Sequence, residues 1–300
     1  MSFAVSGVNS AVATPVDADL KPDLGLLAAH CRWLLDNGCD GLAILGTTGE
    51  ANSFSVAERQ GIVEGVLKAG IAPERLMPGT GVAAGPDTVA LTKHALANGV
   101  QRVVMLPPFY YKNPTDEGLF AAYARVIEGV GDERLRVLLY HIPQMSAVPL
   151  SYALIGRLIE AFPGIVVGIK DSSGDRGNLL GMVKAFPGFS VIAGPDPLFL
   201  DLLRAGGAGC ITGASNLIPD VLRTIYDTWQ TDPVKAEAAQ GKAIAWRNLT
   251  MTYAQMPTIK ALIGARTGDA GWRRVRPPLV ALGEEQVVEI SAKAASLRAQ

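Results

Sequence analysis

Val166-Val-Gly-Ile-Lys170-Asp-Ser-Ser-Gly174 joins a run of apolar residues directly to a lysine. Pro163-Gly precedes the run and Ser172-Ser-Gly follows it, so it is a short β-branched segment bounded by turn residues. That pattern predicts a fully buried strand. Side chains alternate along a strand, which places Val166, Gly168 and Lys170 on one face and Val167 and Ile169 on the other. On this reading Gly168 leaves open space below the lysine. Desolvation at a buried strand end favours the neutral amine, and a neutral amine is a nucleophile toward ketones. The other nine lysines lie in polar or helix-like contexts, and only Lys170 ends a buried run.

The rest of the chain supplies a scaffold for such a strand. Of 300 residues, 49% are apolar, enough for a large single core, and only 18% are charged. A net charge of −1 gives no electrostatic reason to expect nucleic acid or an anionic membrane as partner. Cys31, Cys39 and Cys210 are an odd number with no C-x-x-C pair, which favours reduced, packed thiols and a cytoplasmic location. The first basic residue is Lys21, so the start of the chain does not read as a signal peptide. No apolar run approaches the ~18 residues of a spanning helix.

Short apolar runs alternate regularly with helix-period segments. Strands are expected at 6–13, 41–45, 76–79, 102–106, 137–140, 166–170, 190–193 and 209–212. Helices are expected near 22–37, 56–69, 86–98, 116–129, 151–161, 175–185, 196–205 and 218–230. Ser55 with Glu58 forms a capping box, and Pro86-Asp87 and Pro114-Thr-Asp116 open helices in the same manner. Eight βα units with strands apolar enough to be buried on both sides predict a closed parallel barrel, the (β/α)8 TIM barrel, over an open doubly wound sheet. No strand is followed by the G-x-G-x-x-G loop that the open alternative would favour. Residues 1–230 thus form the barrel, and 231–300 a C-terminal appendage of three helices, 233–254, 257–266 and 284–298, packed on it.

In such a barrel the chemistry belongs at the C-terminal strand ends. The unusual residues fall there: Gly46-Thr-Thr-Gly-Glu50, Pro107-Pro-Phe-Tyr-Tyr-Lys112, Tyr140-His-Ile-Pro143, Lys170-Asp-Ser-Ser173, Gly194-Pro-Asp196 and Thr212-Gly-Ala-Ser215. The Thr47-Thr48 turn offers hydroxyls and backbone N–H groups suited to a small carboxylate. Tyr140 ends the next strand over from Lys170, where it can carry protons between carbinolamine, imine and substrate hydroxyl. Alternatively Tyr140 is an aromatic plug and Gly46–Gly49 an ordinary turn. His141 has the wrong parity for the cavity, and His30 and His94 read as packing or surface residues. Three histidines in no ligand spacing do not suggest a metal site, and no cofactor is expected.

Gly46-Thr-Thr-Gly-Glu50, Tyr140-x-x-Pro143 and Gly168-Ile-Lys170, in this order, resemble the dihydrodipicolinate synthase / N-acetylneuraminate lyase family of lysine-dependent pyruvate aldolases. The resemblance spans essentially the whole chain. It implies that Lys170 forms an imine with pyruvate, that Tyr140 shuttles protons, and that Thr47 and Thr48 hold the pyruvate carboxylate. It further implies that Tyr110 completes a proton relay across a tight dimer, that the backbone at Gly194 and Ile211 flanks pyruvate, and that the protein is a homo-oligomer, a dimer or a tetramer. One position departs from the synthases. Met145 stands where they carry an arginine that grips the carboxylate of aspartate semialdehyde, and a thioether cannot make that charge-assisted pair.

The expected activity is therefore cleavage or formation of a 4-hydroxy-2-oxo acid, from pyruvate and a small aldehyde or 2-oxo acid. The alternative is a dihydrodipicolinate synthase whose acceptor arginine comes from elsewhere, Arg176 being the nearest substitute by sequence. A non-catalytic barrel that binds a 2-oxo acid is a third reading.

Overall fold

The computed structural model describes residues 4–299. Seven parallel strands form a nearly closed barrel: β1 (Gly7–Ala11), β2 (Gly41–Ala43), β3 (Arg102–Met105), β4 (Arg136–His141), β5 (Val166–Asp171), β6 (Ser190–Ala193) and β7 (Gly209–Thr212). Their order around the ring is β2-β1-β7-β6-β5-β4-β3. Residues 76–80 occupy the gap between β2 and β3. Met77 N–H donates to Leu42 O (2.9 Å) and Gly79 N–H to Ile44 O (2.9 Å), while Val104 N–H donates to Pro78 O and Thr80 N–H to Val104 O, each at 3.0 Å. The expected eighth strand is thus a segment bridged on both sides without a continuous ladder of its own. Pro78 lies in its middle and has no N–H to donate.

Side-chain alternation sorts the strands into two cores. Val103, Val137, Leu139, Ile169, Val191 and Cys210 face outward into the layer between barrel and helices. Ala11, Ala43, Met77, Val104, Leu138, Ile192 and Ile211 fill the barrel interior. The outer layer is formed by α1 (Leu24–Asp36), α2 (Val56–Lys68), α3 (Gly85–Ala97), α4 (Asp116–Val130), a one-turn α5 (Pro143–Ser146), α6 (Tyr152–Ala161), α7 (Arg176–Ala185), α8 (Phe199–Arg204) and α9 (Pro219–Thr228). Three further helices, α10 (Pro233–Thr250), α11 (Gln255–Thr267) and α12 (Glu284–Arg298), follow without an intervening strand. Ala236, Trp246, Ile259, Leu262 and Ile290 from these three join the same buried cluster as the helices around the barrel.

Local signals explain the helix starts. Ser55 Oγ accepts from Glu58 N–H, and the Glu58 carboxylate accepts from Ser55 N–H, completing the capping box ahead of α2. Thr115 caps α4 through Gly118 N–H. The segment expected as one helix over 196–205 is a 3-10 turn (Asp196–Leu198) followed by α8, and α5 was not anticipated.

β5 differs from its expected facing. Val137 pairs with Val166 but Leu138 pairs with Gly168, a bulge that leaves Val167 as the extra residue. Val166 therefore packs outward with the helices, and Val167 lies against the interior cluster, the reverse of simple alternation. Gly168 does not open space either. A Cβ there would lie 2.6 Å from Ser190 O and 2.7 Å from Ser190 Cβ, so the glycine allows β5 to press against β6.

Candidate active site

Beyond the bulge the register recovers, with Tyr140 opposite Lys170 and His141 opposite Asp171. Lys170 is 6% exposed and its Nζ lies 4.3 Å from the centroid of the Tyr140 ring. Thr47 Oγ1 is 3.3 Å from the Tyr140 hydroxyl, where either oxygen can donate. Burial pushes the Tyr140 phenol upward. The Lys170 charge and hydrogen bonds from Thr47, Ser172 and Lys170 more than offset this and hold its pKa below the ordinary value. The arrangement therefore eases proton loss from a buried phenol beside an amine.

These groups open into a cavity of about 310 Å³ at the C-terminal strand ends. Thr47, Thr48, Tyr140, Lys170, Gly194 and Ile211 all line it. Gly194 is required by close approach: a Cβ there would meet Ser172 Oγ at 2.0 Å. A larger cavity of about 730 Å³ lies between α3 and α4, with a mostly apolar lining of Val89, Met105, Pro108, Tyr123 and Val126, and Lys170 is not part of it.

The threonine turn is held in a constrained shape. Leu45 and Glu50, on either side of Gly46–Gly49, have φ of 57° and 55°, a left-handed conformation uncommon for such residues. The Glu50 carboxylate anchors it from behind. It accepts from Lys260 Nζ on α11 at 2.6 Å and from Arg276 N–H at 3.2 Å. Both side chains of the Glu50–Lys260 pair are fully buried. Lys260 lies on a helix as expected, yet it is a second buried lysine; burial lowers its pKa, while Glu50 opposes the shift.

The histidines sit outside this chemistry. His141 Nδ1 accepts from Leu150 N–H at 3.1 Å, and burial lowers its pKa against the pull of Asp171. His30 bonds Asn216 Oδ1 at 3.0 Å and is pushed down to about 4, mainly by burial. His94 pairs with Glu64 near the surface.

Two expected site residues are not brought to the cavity. Tyr110 is 73% exposed and packs edge-to-face on Tyr111. Arg176, the expected substitute for the missing arginine, is exposed and paired with Asp201 at 2.6 Å. Met145 does reach the cavity rim. Ser172, from the strand end already singled out, also lines the cavity; the sequence reading missed Arg247, Met251, Gln255 and Met256, which line it too. These four come from the C-terminal helices and the turn between them. Nothing local marks them, because they lie 77 or more positions beyond Lys170 and reach it only through packing.

Residues 4–297 match the dihydrodipicolinate synthetase family. The chain is 35% identical over 287 residues to an uncharacterised DapA-like lyase of Chloroflexus aurantiacus, covering 95% of each chain. The fold is similar to a dihydrodipicolinate synthase crystal structure from Agrobacterium tumefaciens, with TM-score 0.90, 34% identity, and 98% and 99% of the two chains covered. It is also similar to YagE, a prophage protein of Escherichia coli K12 of the dihydrodipicolinic acid synthase family, solved in complex with pyruvate, with TM-score 0.91, 25% identity and the same coverage.

Proposed function

This chain belongs to the dihydrodipicolinate synthetase family of lyases, and from that premise we propose that it is a Schiff-base pyruvate aldolase in which Lys170 is the nucleophile. The observation that carries this reading is the buried Lys170 side chain with its Nζ over the Tyr140 ring, and Thr47 on the Tyr140 hydroxyl, at one cavity. The pyruvate complex of YagE supports the choice of keto acid.

The cycle follows from the groups present. The neutral Lys170 amine adds to C2 of a 4-hydroxy-2-oxo acid, and loss of water from the carbinolamine gives a protonated imine. Tyr140 supplies and removes the protons of these steps, with Thr47 as its hydrogen-bond partner. The C4 hydroxyl then gives up its proton and the C3–C4 bond breaks. Its electron pair moves into the imine to form an enamine, and an aldehyde leaves. Protonation at C3 and addition of water release pyruvate and return the amine; the reverse order of steps forms the bond. Thr47 and Thr48 hold the substrate carboxylate, and the backbone at Gly194 and Ile211 flanks it. Tyr110, exposed on a single chain, joins the relay in this reading from a neighbouring copy in a homo-oligomer. The same reading treats 1–230 as the catalytic unit and 231–300 as an extension that completes its cavity.

The test is incubation with pyruvate and borohydride, followed by intact mass. The parent protein should gain the mass of a reduced pyruvyl adduct and Lys170→Ala should not, while remaining folded. Full trapping in Lys170→Ala would remove Lys170 from the mechanism, and no trapping in the parent would favour a barrel that only binds a 2-oxo acid.

A further inference from the structure

Met145 removes an arginine from the acceptor side of the cavity, yet the cavity is not without a second cation. Arg247 lies in the last turn of α10, one turn before Met251, and both line the wall across which Lys170 also lies. Several other arginines are committed to carboxylates: Arg176 to Asp201, Arg204 to Glu237, Arg223 to Asp40, Arg273 to Glu284 and Arg276 to Glu58. The Arg247 guanidinium makes no ion pair among the described residues, although it is half-buried at the cavity. A partly buried cation left unpaired is costly, and a bound anion would relieve that cost. The buried Asp196 lies just past the cavity-lining Gly194-Pro195. Burial pushes the Asp196 carboxyl upward, while Thr212, Arg247 and Lys170 pull it down, so Arg247 acts there at a distance without closing a bond. Around Arg247 the rim is uncharged: Met145, Met251 and Met256, with Gln144 and Gln255. Gln144 is already spent on Ser172 O at 2.6 Å. Among the described residues, Lys170 and Arg247 are thus the only two basic side chains lining this cavity.

We propose that Arg247 reads the acceptor half of the substrate, selecting an aldehyde, or the 4-hydroxy-2-oxo acid made from it, that carries a carboxylate on the carbon chain beyond the reacting carbonyl. Planar, bidentate donation suits a carboxylate, and a site built around it rejects the analogue lacking one. The proposal rests on the pyruvate-aldolase reading for its chemistry, but the recognition itself is separable from imine formation. It assigns to the C-terminal extension the role that the synthases give to a residue after the Tyr-x-x-Pro turn. Two sources of that carboxylate are glyoxylate and aspartate semialdehyde, which differ in the length of chain between aldehyde and anion and in the amino group that the semialdehyde carries.

The experiment uses a matched pair of 2-oxo acids, 2-oxoglutarate and 2-oxopentanoate, which differ only in a distal carboxylate or methyl group. Binding to the full-length protein is measured by calorimetry, beside the same titrations of Arg247→Gln and Arg247→Lys. The parent should prefer 2-oxoglutarate by about 10- to 100-fold, the range for a charged hydrogen-bonded pair. Arg247→Gln should abolish that preference while changing 2-oxopentanoate affinity less than about twofold, and Arg247→Lys should restore part of it. Equal affinities in the parent, or a Gln variant that weakens both ligands alike, would overturn the proposal and leave Arg247 a residue of the helix end. Borohydride trapping with pyruvate on the same variants keeps the two readings apart. Trapping retained in Arg247→Gln with lost discrimination supports both. Discrimination in a parent that never traps supports Arg247 alone. In the bond-forming direction, kcat/KM with pyruvate and glyoxylate, aspartate semialdehyde or acetaldehyde then identifies the source. Either carboxylate-bearing aldehyde outrunning acetaldehyde, with the advantage lost in Arg247→Gln, supports the proposal, and acetaldehyde as the best acceptor counts against it.

Discussion

Lys170 lies over the Tyr140 ring and Thr47 is within hydrogen-bond reach of its hydroxyl, so removing that one oxygen tests its role with little change in packing. Tyr140→Phe should keep the fold and the ring under Lys170, and lower turnover by about 10²–10⁴, as for other positioned acid–base groups. Turnover within a few-fold of the parent would make Tyr140 a packing residue. Thr47→Val and Thr48→Val should weaken pyruvate binding by about 1.5–3 kcal/mol for each lost hydrogen bond to a carboxylate, read from the pyruvate dependence of borohydride trapping. Unchanged dependence in both variants would reduce Gly46–Gly49 to a turn. Met145 presents a different case: it is 59% exposed at the rim, so an arginine there would join Lys170 and Arg247 as a third basic side chain of the cavity.

Among the elements, β5 carries the most specific constraint. Its glycine lets two neighbouring strands approach, and a methyl at that position would meet a carbonyl oxygen that cannot move without disturbing β6. Gly168→Ala is therefore expected to destabilise the protein by about 1–3 kcal/mol in urea unfolding, the usual range for overpacking. It should also reduce imine trapping, because Lys170 is only two residues along. An alanine variant as stable as the parent would mean that β6 yields easily. The bulge before Gly168 has a related role. Without it, either Val166 would turn to the interior face, or, with Val166 kept opposite Val137, Tyr140 would pair with Ile169 in place of Lys170.

At the scale of the whole molecule, the C-terminal extension is tied to the barrel through two acidic residues near β2. Lys260 on α11 holds Glu50 in full burial, and Arg276 donates to Glu58 in the first turn of α2 at 2.5 and 3.0 Å. Lys260→Met leaves the Glu50 carboxylate buried without its partner and should cost about 3–5 kcal/mol, whereas the double change with Glu50→Leu should recover most of that loss. A double variant no better than the single would show that the pair is not the unit involved. The Glu58 contact predicts a pH effect. Its carboxyl is lowered from 4.5 to about 2, chiefly by the hydrogen bond from Arg276. A carboxyl depressed in the folded state stabilises fully above its unfolded pKa and loses that contribution as pH falls through the folded one. The stability gap between parent and Glu58→Gln should therefore be constant above pH 4.5 and shrink toward pH 2 in urea titrations. A gap that does not change with pH would assign the effect to packing.

The sequence by itself determined the alternation of strands and helices, the family, and the residues that sit on strand ends. Those signals are local: β-branched runs, caps and turn residues act over a few positions, and Thr47, Tyr140 and Lys170 each end such a run. The same locality limited it. Strict alternation misplaced Val166 and Val167 because a bulge depends on the partner strand, and the segment around Pro78 looked like a full strand because its broken ladder appears only against β2 and β3. Only the tertiary structure decided which distant side chains complete the cavity and the core. Arg247 and Gln255 reach Lys170 through helix packing, Lys260 becomes buried because Glu50 faces it, and Arg176 is withdrawn by Asp201. Burial and charge pairing are properties of what surrounds a residue in space, and chain order does not record those surroundings.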